Sequence, residues 1–325
     1  MALRLTKLQK RLCNLLQDGL PICSRPFAGI AEVLGSNERE VLRQTNELKS
    51  QGVIRRISAL INYRALGRTS TLVAAHIPQE NLSEVAEVIN SMQNVSHNYT
   101  RGHYYNLWFT LQAQTSGQIA AMLSELSARF GIDFHSLPVK RVFKLDVRFD
   151  AEGKNQLFQK VKKTCVDEFV ELNENQKSML SKLQNDLDVT AEPFDFLCSE
   201  DLKIKDVLRV IQELIDKGVI RRIASVVDHR KLGFVANVLF VSKIPQDRIV
   251  EAGERLGRFR MVSHCYERET FENWPYNLFA MMHSRSMGEI QQVADKFVEA
   301  EKIDSFELLP TAAELKKQPV RHCFD

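Results

Sequence analysis

The sequence predicts an α+β protein in which a winged helix-turn-helix followed by a ferredoxin-like βαββαβ domain occurs twice in tandem, the two copies forming an internal pseudo-dimer. The first observation behind this is a duplication. Residues 52–67 read GVIRRISALINYRALG and residues 218–233 read GVIRRIASVVDHRKLG, offset by 166. Ile77-Pro78-Gln79 then answers Ile244-Pro245-Gln246, Val95-Ser96-His97 answers Val262-Ser263-His264, and Tyr105-Asn106-Leu107 answers Tyr276-Asn277-Leu278, the offset drifting to 171 through short insertions. Leu137-Pro138 followed by Phe143-Lys144 is mirrored by Leu309-Pro310 followed by Leu315-Lys316. A match this long means two copies of a module of about 160 residues, far above the period of a solenoid repeat. The second observation is helical apolar periodicity at the start of each copy, and the third is an alternation of strand-like and helix-like segments through the rest.

In the first copy, Leu5, Leu8, Leu12, Leu15 and Leu16 form one apolar stripe. A turn from Asp18-Gly19 to Pro26 leads into a second helix that begins at Phe27 and ends near Gly35. A third helix takes Ser36 as its N-cap, carries acidic residues in its first turn and stops at Gln51-Gly52. Two short β-branched runs, residues 53–57 and 59–61, supply the wing. Strands are expected at 69–77, 95–101 and 104–113, helices at 81–92 and 117–130, and an extended segment at 134–149. The second copy repeats the plan less cleanly. Its helices are expected at 175–187, 193–197 and 201–217, its wing at 219–223, its strands at 235–244, 261–268, 275–283 and 305–309, and two further helices at 248–259 and 287–302. The domains are accordingly 1–67, 68–160, 161–233 and 234–325, the third being a degenerate winged helix.

Composition narrows the class. With 325 residues, a net charge of +3, 44% hydrophobic residues and only 14 Gly and 9 Pro, the chain reads as globular with a substantial core. No apolar run reaches the roughly 18 residues of a membrane span. The start, Met1-Ala2-Leu3-Arg4-Leu5-Thr6-Lys7, lacks the apolar core and cleavage site of a signal peptide, so a cytoplasmic location is expected. Cysteines at 13, 23, 165, 198, 265 and 323 form no C-x-x-C pair and no zinc-spaced cluster, which points to reduced thiols and no protein-built metal site. Phosphate-loop, dinucleotide-fingerprint, Ser-His-Asp and HExxH patterns are absent.

A DNA reader should carry excess Lys and Arg on the helix that enters the groove. Across residues 36–51 the basic and acidic residues balance to zero, and across 199–217 they sum to minus one. The pairs Arg55-Arg56 and Arg221-Arg222 are the exception, suited either to phosphates or to carboxylates. DNA-binding regulation therefore stands as the second reading, and no nucleic-acid partner is expected.

Polar chemistry collects on two strands. Residues two apart share a strand face, so Val262, His264, Tyr266 and Arg268 fall together, as do Val95, His97, Tyr99 and Arg101. On the neighbouring strands Leu107, Phe109 and Leu111, or Leu278, Ala280 and Met282, suit the helix side. Asn106 and Trp108, or Asn277, Phe279, Met281 and His283, then point to the other side, a mixture suited to a small-molecule pocket. His229 has Tyr63 as its first-copy counterpart, which favours a wing-edge role over an essential proton transfer.

A winged helix followed by βαββαβ resembles the leucine-responsive transcription regulators in architecture. The segments themselves are more specific. Arg25-Pro26-Phe27-Ala28, Gly52-Val53-Ile54-Arg55-Arg56, His97-Asn98-Tyr99, Asn106-Leu107-Trp108-Phe109-Thr110 and Arg141-Val142-Phe143-Lys144 resemble one subunit type of the siroheme decarboxylases. Gly218-Val219-Ile220-Arg221-Arg222, Ser263-His264-Cys265-Tyr266, Trp274-Pro275-Tyr276-Asn277-Leu278-Phe279 and Glu314-Leu315-Lys316-Lys317 resemble the partner subunit type. The resemblance covers both halves, so the chain is similar to the fused form of that family. It implies conversion of siroheme to 12,18-didecarboxysiroheme, two acetate side chains losing carbon dioxide, in haem d1 or alternative haem b biosynthesis. It implies no cofactor beyond the iron of the substrate, with haem binding and a histidine ligand to that iron left open.

A pyrrole acetate loses carbon dioxide cheaply only if the ring accepts the electron pair, so the resemblance calls for a proton donor beside the macrocycle. His264 is the first candidate for general acid, His97 its counterpart and Tyr266 an orienting or relaying hydroxyl; His103 joins this set or simply ends its hairpin. Arg221, Arg222 and Arg268 in one half and Arg55, Arg56 and Arg101 in the other are candidates to hold the substrate carboxylates, since the guanidinium fork pairs bidentately with them. Trp274, Tyr276 and Phe279 are expected to cover the macrocycle, with Trp108, Asn106 and Asn277 lining the same pocket. The fusion satisfies a regulator-type pairing internally, and a further homo-oligomer stays open. A tetrapyrrole sensor that returns its ligand unchanged is the third reading.

Overall fold

The computed structural model describes residues 3–153, 168–318, 320 and 324. The expected boundary at 160/161, Cys165 and Cys323 lie outside the described residues. In chain order the first copy contains α1 (Lys7–Asp18), α2 (Pro26–Leu34), α3 (Glu38–Ser50), β1 (Ile54–Ile61), β2 (Thr69–Ala75), α4 (Leu82–Ser91), β3 (Val95–Arg101), β4 (Leu107–Ala113), α5 (Ser116–Phe130) and β5 (Phe134–Leu145). The second contains α6 (Glu174–Leu183), α7 (Ile204–Asp216), β6 (Ile220–Val227), β7 (Ala236–Ser242), α8 (Ile249–Arg258), β8 (Val262–Arg268), β9 (Leu278–Ser284), α9 (Met287–Glu301) and β10 (Phe306–Lys317). Among the described residues no helix is long and apolar enough to cross a membrane.

Local chemistry sets the helix ends. Thr6 and Gln9 close a capping box on α1, and Pro26 opens α2, where its missing N–H costs nothing. Asn37, not Ser36, caps α3, its side chain accepting from the Glu40 N–H at 2.9 Å. Gly52 and Gly218 follow α3 and α7 at φ of 67° and 70°, a left-handed conformation that explains the repeated glycine before Val-Ile-Arg-Arg. In the second copy the expected helix at 193–197 shrinks to a single 3-10 turn, Asp195–Leu197.

The wing differs from the expectation. Its two short runs are one eight-residue strand, β1, which pairs antiparallel with β6 of the other copy, Ile57 opposite Ser225 and Ala59 opposite Ile223. A strand with one apolar face and an open edge needs a partner, and the duplicated segment supplies it. Asn62 N–H donates to the Val219 carbonyl and Asp228 N–H to the Val53 carbonyl, both at 2.8 Å, a symmetric clasp at the ribbon's ends. Both winged helices thus share one core that runs through Leu12, Leu48, Ile57, Leu180, Ile211 and Ile223.

The two ferredoxin-like sheets also merge. Eight strands close a barrel in the order β10-β3-β4-β2-β5-β8-β9-β7. Strands β5 and β10 make this closure. Residues 134–138 of β5 pair with β2 of their own copy, and residues 139–145 pair with β8 of the other. Residues 306–310 of β10 pair with β7, and 311–317 with β3. Pro138 and Pro310 stand at the changeovers, where a residue without an N–H is tolerated in the ladder. The strand expected at 305–309 therefore runs on to Lys317. Helices α4 and α5 cover the outer face of one sheet, and α8 and α9 that of the other. Inside, Leu137, Trp108, Leu239, Val241, Phe279 and Leu309 form an apolar plug across the barrel.

Candidate functional site

Two β-bulges set the polar end of the barrel. Val95 pairs with Leu111 and the next registered pair is His97 with Thr110, which leaves Ser96 as the extra residue. Val262 pairs with Met282 and His264 with Met281, which leaves Ser263. Simple alternation would place each valine on the face of its histidine. The bulge instead turns Val95 and Val262 outward onto the helices, while the rows His97, Tyr99, Arg101 and His264, Tyr266, Arg268 look inward. Each bulge serine also orients its neighbour. Ser96 Oγ lies 2.8 Å from His97 Nδ1 and 2.6 Å from Thr110 Oγ1. Ser263 Oγ lies 2.7 Å from His264 Nδ1 and 2.8 Å from His283 Nε2. With Nδ1 occupied, Nε2 of each catalytic candidate is the nitrogen available to a ligand.

The β1/β6 ribbon faces this end. His229, just past β6, stacks on Phe149 and meets the edge of His283, with ring centroids 5.3 and 5.5 Å apart. The Tyr63 hydroxyl, just past β1, hydrogen-bonds Ser70 at 2.8 Å. Burial, with Lys317 and Arg56 nearby, holds the His97 pKa down to about 4. Burial, with His97, Arg221, Arg268 and Lys144 nearby, holds that of His264 down to about 3. His97 is thus among the groups that hold His264 down, and both are neutral at pH 7. Tyr99 and Tyr266 are pushed up by burial, opposed at Tyr99 by Arg101, Arg55 and Arg230 and at Tyr266 by Arg268, Arg221 and Arg64. Arg64 and Arg230 were not singled out in the sequence, although the Tyr63-Arg64 and His229-Arg230 repeat displays them, and Lys317 stood there only as the end of the Glu314-Leu315-Lys316-Lys317 segment.

The six arginine candidates separate. Arg55 pairs with Asp228 at 2.9 Å, and Arg222 reaches Asp146 at 3.3 Å within a cluster that includes Arg148 and Asp18. Arg56 Nε donates to Ser58 Oγ at 3.2 Å, and Arg221 donates to the Asn62 amide oxygen at 3.4 Å, so neither is held by a carboxylate in these contacts. Arg101 and Arg268 are buried and engaged across the copies, Arg101 Nη1 donating to the Leu309 carbonyl and Arg268 Nη1 to the Leu137 carbonyl, each at 2.6 Å. Burial lowers the pKa of both to about 10. Their carbonyl partners lie beside the changeover prolines, so these guanidinium groups brace the barrel's closure.

Of the remaining candidates, Trp108 and Phe279 lie in the plug, two residues or about 7 Å along their strands from the partners of His97 and His264, and Asn106 and Asn277 lie four residues or about 13 Å away, toward the opposite end. Asn106 and Asn277 each use both ends of the amide on the backbone of Ile77 and Ile244, at 2.8–2.9 Å, which accounts for the repeated Ile-Pro-Gln and Tyr-Asn-Leu segments. Trp108, Trp274 and Phe279 are each 1% exposed, packed among themselves rather than lining an open face. The Tyr276 hydroxyl donates to Glu307 at 2.8 Å, and His103 Nε2 lies 3.1 Å from the same carboxylate, at the hairpin end. The structure does not bring His103, Trp274, Tyr276, Asn106 or Asn277 together with His97 and His264. Among the described residues no His, Cys, Asp and Glu group has metal-binding geometry. A surface groove of about 520 Å³, lined by Arg68, Asn94, Gln118 and Met122 among others, shares no residue with the histidine cluster.

Comparison with known proteins identifies the family. A family model described as "AsnC-like ligand binding domain" matches residues 65–144 and 231–316, and one described as "Siroheme decarboxylase NirDL-like HTH domain" matches residues 9–55. A siroheme decarboxylase of Hydrogenobacter thermophilus is 32% identical over 96% of this chain and 94% of its own. The NirD subunit of Pseudomonas aeruginosa siroheme decarboxylase is 39% identical and matches 97% of its own length to only 45% of this chain. A crystal structure of the siroheme decarboxylase NirDL in complex with an iron-uroporphyrin III analogue superposes with a TM-score of 0.72 at 29% identity, covering 98% of this chain and 95% of the other. With both halves matched, the chain belongs to the siroheme decarboxylase family, in the form that carries two subunit types in one polypeptide.

Proposed function

We propose that this protein converts siroheme to 12,18-didecarboxysiroheme, with the substrate held at the barrel end beneath the β1/β6 ribbon. The observation that carries the reading is the convergence of His97 and His264, each set inward by a bulge serine, under a ribbon that carries arginines. Each step is R–CH2–COO⁻ + H⁺ → R–CH3 + CO2. The C–C bond breaks, its electron pair is taken up by the ring, and a proton completes the methyl group, with no net oxidation. Siroheme brings the ring that accepts the electron pair, together with its iron; the protein has to bind, orient and supply protons.

Arg56 and Arg221 on the ribbon, neither held by a carboxylate in the contacts above, suit the peripheral carboxylates. His264, neutral at rest, becomes the general acid only once substrate is bound. Its imidazolium is disfavoured by burial and by nearby cations, and a polyanion neutralises those cations and adds negative charge beside the ring, which raises its pKa. His97 holds the matching place in the other half, and Tyr266 packs beside His264 with ring centroids 6.0 Å apart. The hairpin-end residues His103, Trp274 and Tyr276 support the far end and are given no chemical step.

Regulation through DNA has less support. Arg43 on α3 is paired with Glu40 and Glu47, Arg209 on α7 with Asp206 and Glu213, and Lys49 with Asp186 of the other copy. Anaerobic incubation with siroheme followed by mass spectrometry separates the readings. The expected product is lighter by two carbon dioxide units, with His264→Ala slowing its formation by about 100-fold or more. Normal turnover by that variant removes His264 from the acid role. Recovery of bound, unaltered siroheme from the parent would indicate a sensor, and salt-sensitive operator binding without turnover a regulator.

A further inference from the structure

The duplicated site is not symmetric around its histidines. In the first copy the hydrogen bonds from His97 end at Thr110, through Ser96. In the second, Ser263 passes from His264 to a further imidazole, His283, and a fourth, His229, lies against that ring. The first-copy counterparts of His283, His229 and Lys317 are Gln112, Tyr63 and Leu145, none able to pass a proton near neutral pH as an imidazole does.

We infer that protons reach His264 along Ser263, His283 and His229 from the partly exposed Lys317, so that the second copy's half of the site is the one in which substrate is protonated. This rests on the decarboxylase reading. The distances favour transfer over a dead end. The Ser263 hydroxyl has one proton and three neighbours, the two histidine nitrogens at 2.7 and 2.8 Å and the Met281 carbonyl at 3.3 Å, so it is best placed to donate to one imidazole while its oxygen accepts from the other. The next link is a ring contact without a direct hydrogen bond: His283 and His229 meet edge to face with centroids 5.5 Å apart, and among the described residues His283 Nδ1 and His229 Nε2 are each buried without a hydrogen-bond partner, one free nitrogen on each ring. His229 Nδ1 lies 3.3 Å from Lys317 Nζ, whose side chain is 25% exposed and pairs with Glu314 at 3.5 Å. His229 is itself 1% exposed, so the chain runs from solvent to the buried ring through protein groups.

The step conserves protons throughout. His264 Nε2 gives its proton to the substrate carbon. It does so as the imidazolium formed once substrate is bound, when His264 Nδ1 takes the Ser263 hydroxyl proton, Ser263 takes the His283 Nε2 proton, and His283 is restored at Nδ1 from the His229 side, ultimately from water at Lys317. The titratable and charged groups facing this row are His97, Lys317, Arg101, Arg230, Arg55, Asp228, Arg221, Arg268 and Lys144. Burial first, and then these mostly cationic neighbours, keep the imidazoles neutral at rest, and a neutral imidazole has one nitrogen to give a proton and one to accept it.

The test uses the full chain under anaerobic single turnover with siroheme, following siroheme and its mono- and didecarboxylated products by mass spectrometry and binding by the visible spectrum. His283→Gln and His229→Tyr, the residues of the first copy, should leave siroheme affinity and spectrum within about twofold. They should slow decarboxylation on the order of 100-fold, with partial rescue by added imidazole. Ser263→Ala should behave alike and Ser263→Thr, which keeps the hydroxyl, should retain most of the rate, so a folding defect is distinguished from a broken relay. Turnover by His283→Gln within threefold of the parent overturns the relay while leaving the decarboxylase reading intact. A shifted spectrum in that variant overturns it in favour of an iron ligand, and no turnover by the parent overturns the underlying reading.

Discussion

At the scale of single residues, the side chains near the barrel's polar end divide by what already occupies them. Arg268 spends its guanidinium on the Leu137 carbonyl and lies over the Tyr266 and Phe279 rings at 4.9 and 5.7 Å. Arg221, among the described residues, makes one long contact, to the Asn62 amide oxygen at 3.4 Å. A charged donor to a buried carbonyl contributes about 1.5–3 kcal/mol, and removing it strands the acceptor. Arg268→Met is therefore expected to lower the unfolding free energy by about 2–3 kcal/mol, with little change in the KM for siroheme among molecules that remain folded. Arg221→Met should raise KM severalfold and leave the thermal midpoint almost unchanged. Denaturant titration and steady-state kinetics on the two variants check the division, and the reverse pattern would return Arg268 to the substrate.

Individual elements owe their positions to contacts that cross between the copies. Lys144 on β5 is fully buried, and its ammonium donates at 2.9 Å to the Phe259 carbonyl at the end of α8. Lys316 on β10 does the same at the end of α4, donating to Asn90 and Met92 at 2.7 Å. Each strand thus places a cation at the negative end of the other copy's helix dipole. The close approach of α8 to β5 depends on Gly253. A Cβ there would run into the Phe143 ring of the other copy. Gly253→Ala should therefore cost about 1–3 kcal/mol despite its gain in helix propensity, while Gly288→Ala on α9, where a Cβ meets nothing within 4 Å, should be neutral or stabilising. Thermal unfolding of the pair checks this, and equal midpoints would mean that Phe143 swings aside freely.

For the whole molecule, the two copies share one core under the winged helices and one closed barrel, and the buried histidines sit where these layers meet. His97 and His229 are held down to about 4 and His264 to about 3, chiefly by burial, and His283 falls well below its ordinary value for the same reason. Unfolded, each titrates near 6.5. Between about pH 6.5 and 4 the unfolded chain therefore binds more protons, and stability falls as pH falls, by up to about 1.4 kcal/mol per pH unit for each histidine. Thermal midpoints should decline steeply over this range, and His264→Gln should flatten the decline relative to the parent. An unchanged slope in the variant would mean that His264 is protonated in the folded state.

The sequence by itself determined the architecture, because its signals are local or repeated. Helix stripes, capping residues, the glycines before Val-Ile-Arg-Arg and the order of strands and helices each depend on a few neighbours, and the duplication displays each of them twice. It also brought His97 and His264 forward as a matched pair. Only the tertiary structure decided which partners the strands would choose. A β-branched strand satisfies its hydrogen bonds equally well with its own copy or with the other, so neither the β1/β6 ribbon nor the handover of β5 and β10 at Pro138 and Pro310 is written in periodicity. Strict alternation likewise could not show that one extra serine sends Val262 outward and His264 inward. Whether an arginine meets substrate or a backbone carbonyl depends on what the rest of the chain brings within 3 Å of it, and that separated Arg101 and Arg268 from the ribbon arginines.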